Sequence, residues 1–157
     1  MYAIGSVVTL HVAPTGGAPM QRVDQVEAVS GRGVQGDRYF LDLGTYSNRA
    51  GTGRHLTLIE SEALGALKTE YAIEIEPHQA RRNIVTRGVA LNHFVGREFT
   101  VGSVRLRGMR LCEPCAHLER LSVSGILRGL IHRGGLRADI LTSGPIRIGD
   151  DIAMLKE

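Results

Sequence analysis

The sequence contains no tryptophan, and aromatic residues make up only 4% of its 157 residues. Proteins that bind single-stranded nucleic acid stack bases on aromatic side chains, so this scarcity argues against that class. No apolar run approaches the roughly 20 residues that a membrane helix needs. The first ten residues also lack the basic start and the cleavage site of a signal peptide. We therefore expect no membrane segment and a cytoplasmic location.

Lysine is almost absent as well, occurring only at Lys68 and Lys156, so the other basic residues are arginines. A guanidinium group offers a planar fork of donors that suits phosphate or carboxylate. A codon-usage preference would explain the same excess without any function. The formal net charge is +3 and the positive residues are spread along the chain. Nucleic-acid binding needs a concentrated cationic face, so we expect no nucleic-acid partner.

The remaining composition is ordinary for a globular protein, with 43% hydrophobic and 22% charged residues. A chain of 157 residues has the usual length of one compact domain, so we expect a single domain over residues 1–157. No linker, repeat or low-complexity tract divides it.

Short β-type segments separated by glycine turns indicate a mainly β (α+β) fold, a barrel or sandwich rather than alternating βαβ units. The strands are predicted at residues 2–12, 22–29, 55–59, 82–86, 138–141 and 145–154, with a hairpin over 98–111 and a turn at Gly149-Asp150 that interrupts the last segment. Helices are predicted at residues 60–71, 116–121 and 124–132. A capping box from Thr57 to Glu60, or Ser61 as N-cap, would begin the first helix. The glycine-rich segment 30–54 is predicted to be a long loop.

The only two cysteines lie in one motif, Cys112-Glu113-Pro114-Cys115, between a predicted strand and a predicted helix. A thiol at a helix start, with Arg110 and His117 nearby, favours a thiolate. As a zinc site the motif is incomplete, because structural zinc needs four ligands. As a redox dithiol it lacks the βαβ setting of thioredoxins. Two buried cysteines acting as small hydrophobic residues remain the alternative without function.

Two arginine-containing segments are further candidates. Gly36-Asp37-Arg38 closes a glycine-dense stretch in which Asp37 is expected to tie loops together. Arg38 either shares that structural role or is the cation of a backbone cradle for an anion. Arg81 and Arg82 are adjacent in a predicted strand, so one is expected to reach a pocket while the other faces solvent. The sequence has no P-loop, no H-E-x-x-H and no G-x-S-x-G motif, so those enzyme classes receive no support.

Five segments, taken in order, resemble the MOSC family, named after the C-terminal domain of molybdenum-cofactor sulfurase. They are Gly36-Asp37-Arg38, residues 55–60 (HLTLIE), residues 82–86 (RNIVT), residues 95–99 (VGREF) and residues 111–115 (LCEPC). The resemblance implies a MOSC-type β-barrel with two or three short helices. In one departure, Tyr39 stands where the family often has histidine. Larger members carry a pyridoxal-phosphate sulfurase domain or an extra β-domain, and we expect neither in this chain.

The same resemblance implies a site for the molybdenum cofactor (molybdopterin). Cys115 matches the family's characteristic cysteine, so it is the expected metal ligand and catalytic residue. Arg38, Arg82 and Asn83 are the expected cofactor-binding residues. One implied function is a molybdenum-dependent oxidoreductase that reduces N-hydroxylated compounds, with electrons from a separate flavin or iron–sulfur protein. The alternatives are a sulfur carrier with a persulfide on Cys115, supplied by a sulfur donor, and a non-catalytic module that stores cofactor.

Overall fold

The computed structural model describes residues 3–41 and 53–155, and this part of the chain is mainly β with three short α-helices. The strands are β1 (Ala3–Val12), β2 (Gln21–Val23), β3 (Gln25–Val29), β4 (Gly33–Val34), β5 (Leu56–Glu60), β6 (Ile84–Arg87), β7 (Glu98–Val101), β8 (Val104–Leu111), β9 (Leu136–Ile140), β10 (Gly144–Arg147) and β11 (Asp151–Met154). The helices are α1 (Ser61–Tyr71), α2 (Ala116–Leu121) and α3 (Ile126–Gly129), and short 3-10 helices cover Pro77–Ala80 and Leu91–Phe94. No helix of the described ranges is both long enough and apolar enough to cross a membrane.

Seven strands form a closed barrel in the order β11-β7-β8-β9-β5-β6-β1, and β11 pairs with β1 to complete the ring. β2 extends β1 outside the ring, and β10, β3 and β4 form a separate small sheet. In β8, Val104 and Leu106 are buried whereas Arg105 and Arg107 are exposed, the alternation expected when one face of a strand lines a core. The predicted mainly β barrel is confirmed.

The apolar residues form two cores. One fills the barrel, where Phe94 and Phe99 meet edge to face at 4.8 Å between ring centroids. The other lies between the outer wall of the barrel and the helices, and contains Leu67 of α1 and Leu118 of α2. Because Cys115 packs against this second core, burial of α2 fixes the position of the cysteine motif.

One prediction about the strands is wrong. Residues 22–29 do not form one strand, because the chain breaks at Asp24 and β2 and β3 join different sheets. The barrel contains one parallel pair, β5 and β6, with α1 in the connection between them. Antiparallel neighbours surround this pair, so its strands show no separate sequence signal.

The helix ends also differ from prediction. Glu60 is the N-cap residue of α1 and makes no side-chain cap; its carboxylate accepts the Leu91 amide at 3.0 Å instead. Thr57 lies inside β5, so the predicted capping box is wrong. The helix predicted over 124–132 is only the four residues of α3, because Gly125 precedes it at a φ of 92°. The predicted loop 30–54 contains β4, and residues 42–52 of it lie outside the described ranges.

Candidate functional site

A cleft opens beside the cysteine motif, where the chain leaves β8 and enters α2. Six segments contribute to its walls: the β1–β2 turn, the Gly36-Asp37-Arg38 segment with Tyr39, the segment before β6, the cysteine motif, α2 and β9. The lining residues are Gly16, Arg38, Tyr39, Arg81, Arg82, Cys112, Glu113, Cys115, His117, Leu118 and Arg137. Four arginines thus meet in one cleft, and among the described lining residues Glu113 is the one carboxylate.

The cysteine motif is held in place at both ends. Cys115 is the N-cap residue of α2, in extended conformation, and its half-buried side chain lines the cleft. Cys112 is only 2% exposed, and its amide donates to the Gly135 carbonyl at 2.7 Å. Neither cysteine forms a disulfide with a described residue. Glu113 accepts the His132 amide at 2.9 Å, which ties the motif to the turn after α3.

Arg82 connects the cleft to the cysteine motif. Its Nε donates to the Gly134 carbonyl at 2.9 Å, and its two terminal nitrogens donate to the carbonyls of Ala80 at 3.3 Å and Cys112 at 3.1 Å. The guanidinium is almost completely buried. Arg82 therefore both anchors the motif and places a positive charge in the wall of the cleft.

Arg38 forms a buried ion pair with Asp37, at 3.0 Å between Nη1 and Oδ1. The same oxygen of Asp37 accepts the Ala13 amide at 3.1 Å, so Asp37 ties loops together as expected. The Arg38 guanidinium lies over the Tyr39 ring, 4.6 Å from its centroid, and donates to the Arg81 carbonyl at 3.4 Å. Tyr39, the residue that departs from the family pattern, thus forms one wall of the cleft beside Arg38.

Arg81 and Arg82 both line the cleft, contrary to the expectation that adjacent arginines point to opposite faces. The alternation rule fails because β6 begins only at Ile84 and Arg81 has left-handed backbone, with φ at 59°. Arg81 donates to the Ala18 carbonyl at 2.7 Å and the Gly16 carbonyl at 3.0 Å. Burial, and then the charge of Arg38, lower the pKa of the Arg81 guanidinium.

Asn83, the fourth predicted site residue, lies away from the cleft lining. It is buried, its Oδ1 accepts the Thr57 amide at 3.0 Å, and its Nδ2 donates to the His11 carbonyl at 3.1 Å. Asn83 thus links β1 and β5 across the start of β6. The structure brings Cys115, Arg38 and Arg82 together, and it places Asn83 behind them as a structural support.

Gly134 is a site residue that the sequence motifs did not predict. A Cβ atom on Gly134 would lie 2.5 Å from the Cys112 carbonyl oxygen and 2.9 Å from Cδ of Pro114. The Gly134 carbonyl is also an acceptor for Arg82. The glycine therefore lets the turn after α3 pack directly on the cysteine motif. The adjacent pair Gly134-Gly135 was the available signal, but only the fold shows which backbone it contacts.

The donor set of the cleft does not match a metal site built from protein ligands alone. In residues 3–41 and 53–155, no three His, Cys, Asp or Glu side chains are placed to hold one metal ion. The zinc interpretation of Cys112, Cys115 and His117 therefore receives no support from the described residues. A thiol among guanidinium groups suits instead a soft, sulfur-ligated metal that brings further ligands and negative charge with it.

Comparison with known proteins assigns the class. The family model described as MOSC domain matches residues 45–153, most of the chain, and the chain belongs to this family. The resemblance seen in the sequence is thereby confirmed. No curated protein matches the chain.

Solved structures show the same fold. YuaD of Bacillus subtilis superimposes with a TM-score of 0.79 at 15% identity, covering 98% of this chain and 97% of that one. YiiM of Geobacillus stearothermophilus gives a TM-score of 0.73 at 14% identity, covering 97% of this chain and 75% of that one. YiiM of Escherichia coli gives 0.67 at 17% identity, covering 100% of this chain and 71% of that one. At such identities the similarity concerns the fold alone.

Proposed function

We propose that this MOSC domain binds the molybdenum cofactor in the arginine-lined cleft, with the Cys115 thiolate as a ligand of the metal. The observation that carries the proposal is the position of Cys115 in a cleft that also contains Arg38, Arg81, Arg82 and Arg137. MOSC domains typically bind this cofactor, and the chain is a member of the family. The cofactor is a pterin with a phosphate and a dithiolene-bound metal, so it carries both the negative charge and the soft metal that such a cleft favours.

The residues present fit this group. One thiolate is sufficient here because the dithiolene supplies two further sulfur ligands to the metal. A soft thiolate matches a soft, sulfur-ligated centre. The guanidinium groups match the phosphate, for which arginine is the best side-chain partner.

The two predicted arginines act differently toward a bound anion. Arg82 already donates to three backbone carbonyls, so its main contribution is a fixed positive charge and a fixed cysteine motif. Arg38 is neutralised in part by Asp37, and the Tyr39 ring covers its face. Both guanidinium groups are immobilised before a ligand arrives, which reduces the conformational entropy lost on binding. Asn83 contributes by holding the segment that carries Arg82.

For the reaction we propose reduction of N-hydroxylated compounds, in which an N–O bond is exchanged for an N–H bond and water is released. This reaction needs two electrons and two protons. The bound cofactor supplies two-electron chemistry at its metal, and a separate flavin or iron–sulfur protein supplies the electrons. His117 lines the cleft together with Cys115, and an imidazole ring has nitrogen atoms that can donate a proton. We assign His117 the delivery of a proton from its ring nitrogen to the leaving oxygen.

A sulfur carrier with a persulfide on Cys115 is the competing function. It would use Cys112 to release the sulfur as a disulfide, and both thiols line the cleft. However, Cys112 is 2% exposed, and its amide and carbonyl are both hydrogen-bonded. Attack on Cys115 would have to come from this buried thiol, on a backbone that Arg82 and Gly135 hold in place. This restraint favours Cys115 acting alone, as a metal ligand.

The test measures molybdenum and oxidised pterin in protein from a cofactor-competent host, for wild type, Cys115→Ser and Cys112→Ser. We expect near-stoichiometric molybdenum in wild type and in Cys112→Ser, and a loss of metal in Cys115→Ser. Cyanide-labile sulfur on Cys115 without molybdenum would refute the proposal in favour of the carrier. The protein could also bind the cofactor but fail to turn over an N-hydroxylated substrate with a reduced flavin or iron–sulfur donor. That result would refute the reductase activity and identify the domain as a module that stores cofactor.

A further inference from the structure

Glu113 is the one carboxylate among the described residues that line the arginine cleft. It belongs to the cysteine motif, two residues before Cys115. The positive charges of the cleft attract an anionic ligand and the Glu113 carboxylate alike. Binding of an anion therefore requires that the Glu113 carboxylate does not occupy the arginines itself.

Both carboxylate oxygens of Glu113 contact a single residue, His132, in the turn after α3. Oε1 accepts the His132 amide at 2.9 Å, and Oε2 lies 3.1 Å from Nδ1 of the His132 imidazole. Within residues 3–41 and 53–155, the ion-pair partner of Glu113 is this imidazole and not an arginine of the cleft. The negative charge of Glu113 is thus directed to the turn rather than to the arginines.

The backbone of His132 is held in an uncommon conformation. Its φ is 63°, in the left-handed region that residues with a Cβ atom rarely adopt. Asn92 fixes it from the other side, because its Nδ2 donates to the His132 carbonyl at 2.8 Å. A non-glycine residue in this conformation persists where the surrounding structure holds it in place. His132 is therefore a fixed point to which the Glu113 carboxylate is tied.

A released Glu113 would have an arginine within reach. Arg82 donates to the Cys112 carbonyl at 3.1 Å, and this carbonyl belongs to the peptide that joins Cys112 to Glu113. The Arg82 guanidinium also lines the cleft. A carboxylate that turned from His132 into the cleft would meet this guanidinium and neutralise part of the charge that an anionic ligand needs.

Building on the proposed function, we propose that His132 is a positioning residue that keeps the Glu113 carboxylate out of the cleft. The arginines then stay available to the phosphate group of the cofactor, which guanidinium forks bind with paired hydrogen bonds. His132 acts here through its contacts and takes no part in proton transfer. Its side chain is 79% exposed, so its contact with Glu113 is weak and its loss shifts anion affinity rather than abolishing it.

The test titrates inorganic phosphate into the cofactor-free full chain and measures affinity by calorimetry. We expect His132→Asn to weaken phosphate binding about two- to fivefold, because asparagine tolerates left-handed backbone but lacks the imidazole. Asn92→Ala should weaken it in the same direction, since the turn loses the hydrogen bond to the His132 carbonyl. His93→Asn is the matched control, because His93 is exposed in the neighbouring 3-10 helix and should bind phosphate as wild type does.

A second substitution separates positioning from a general structural effect. Glu113→Gln keeps an oxygen acceptor for the His132 amide but carries no charge. In the double variant His132→Asn/Glu113→Gln, we expect phosphate affinity to return at least to the wild-type level, because no carboxylate is left to compete. Unchanged affinity in His132→Asn, or a loss that persists in the double variant, would overturn the proposal. A wild-type protein that binds no phosphate would overturn it as well.

Failure of the proposed function would appear in a different measurement. Molybdenum retention in Cys115→Ser would refute the metal ligand, whereas the phosphate titrations use cofactor-free protein and do not depend on that ligand. In protein from a cofactor-competent host, we expect less molybdenum in His132→Asn than in wild type, and a return to the wild-type content in the double variant. Equal molybdenum in wild type and His132→Asn would show that Glu113 does not compete with the cofactor.

Discussion

The Arg82 guanidinium and the Cys112 carbonyl are joined by a hydrogen bond of 3.1 Å across the wall of the cleft. This bond couples the segment before β6 to the cysteine motif after β8, two segments that lie far apart in the chain. A residue expected to bind cofactor is thereby also a residue that shapes the site. Substitutions at Arg82 will consequently affect stability and binding together.

We predict that Arg82→Lys destabilises the protein by about 2–3 kcal/mol. The three carbonyls are bound by three different nitrogens of the guanidinium fork, and the single nitrogen of a lysine ammonium cannot reach all of them. The charge is retained, so loss of cofactor in this variant would report geometry rather than electrostatics. Urea denaturation measures the stability, and metal analysis measures the retained molybdenum. Arg87→Lys is the control, since Arg87 is exposed at the end of β6, and a similar loss there would contradict the explanation.

Gly134→Ala tests whether the turn after α3 supports the cysteine motif. The new Cβ would lie 2.5 Å from the Cys112 carbonyl oxygen, so the motif must shift. We expect the barrel to remain folded, with near-wild-type circular dichroism, while molybdenum content falls severalfold.

The control for that variant is Gly65→Ala in α1, where a Cβ meets nothing within 4 Å. A helix gains about 0.5–1 kcal/mol when alanine replaces an interior glycine. We therefore expect a raised melting temperature and unchanged molybdenum in Gly65→Ala. Equal molybdenum in both alanine variants would show that Gly134 does not support the motif.

The buried ion pair of Asp37 and Arg38 should contribute more to stability than the exposed pairs. Asp37 is completely buried and accepts from both Arg38 and the Ala13 amide. Asp37→Asn leaves a buried guanidinium without its counter-charge, a change that costs about 3–5 kcal/mol. Glu98→Gln removes exposed pairs with Arg105 and Arg107 and should cost less than about 1 kcal/mol. Equal effects in thermal unfolding would contradict this ranking.

Local patterns in the sequence predict most of the strands and the hairpin of β7 and β8, because each strand has one face towards a core. They do not predict closure of the ring, since pairing of β1 with β11 joins opposite ends of the chain. They also do not separate β2 from β3. At Asp24 the chain passes from one sheet to the other, while apolar and polar residues go on alternating along the sequence.

The candidate site, too, is predictable where it depends on local motifs. Cys115, Arg38 and Arg82 each belong to a short sequence motif, and the fold brings them into one cleft. Arg81 joins them because its left-handed backbone breaks the strand alternation. An arginine rarely adopts this conformation, so the sequence does not predict it. The roles of Gly134 and His132 depend on contacts between distant strands and turns. Such contacts have no local signature.

His11 makes stability depend on pH. It is buried in β1, and burial lowers the pKa of its imidazole from 6.5 to about 4, against the raising effect of a hydrogen bond with the Arg82 backbone. The unfolded chain binds this proton near pH 6.5, whereas the folded protein binds it only near pH 4. The contribution is therefore fully present above pH 6.5, declines as pH falls, and reaches a loss of about 3 kcal/mol below pH 4.

We expect His11→Gln to flatten this dependence, because glutamine can replace the donor to the Arg82 backbone without titrating. The measurement is the free energy of unfolding in urea between pH 7 and pH 4, for wild type and variant. His93→Gln is the matched control, since His93 is exposed and its removal should leave the slope unchanged. Because His11 contacts the backbone of Arg82, molybdenum bound by wild type should be lost over the same acidic range and retained longer in His11→Gln. Parallel stability curves for wild type and His11→Gln would show that another buried group carries the acid sensitivity.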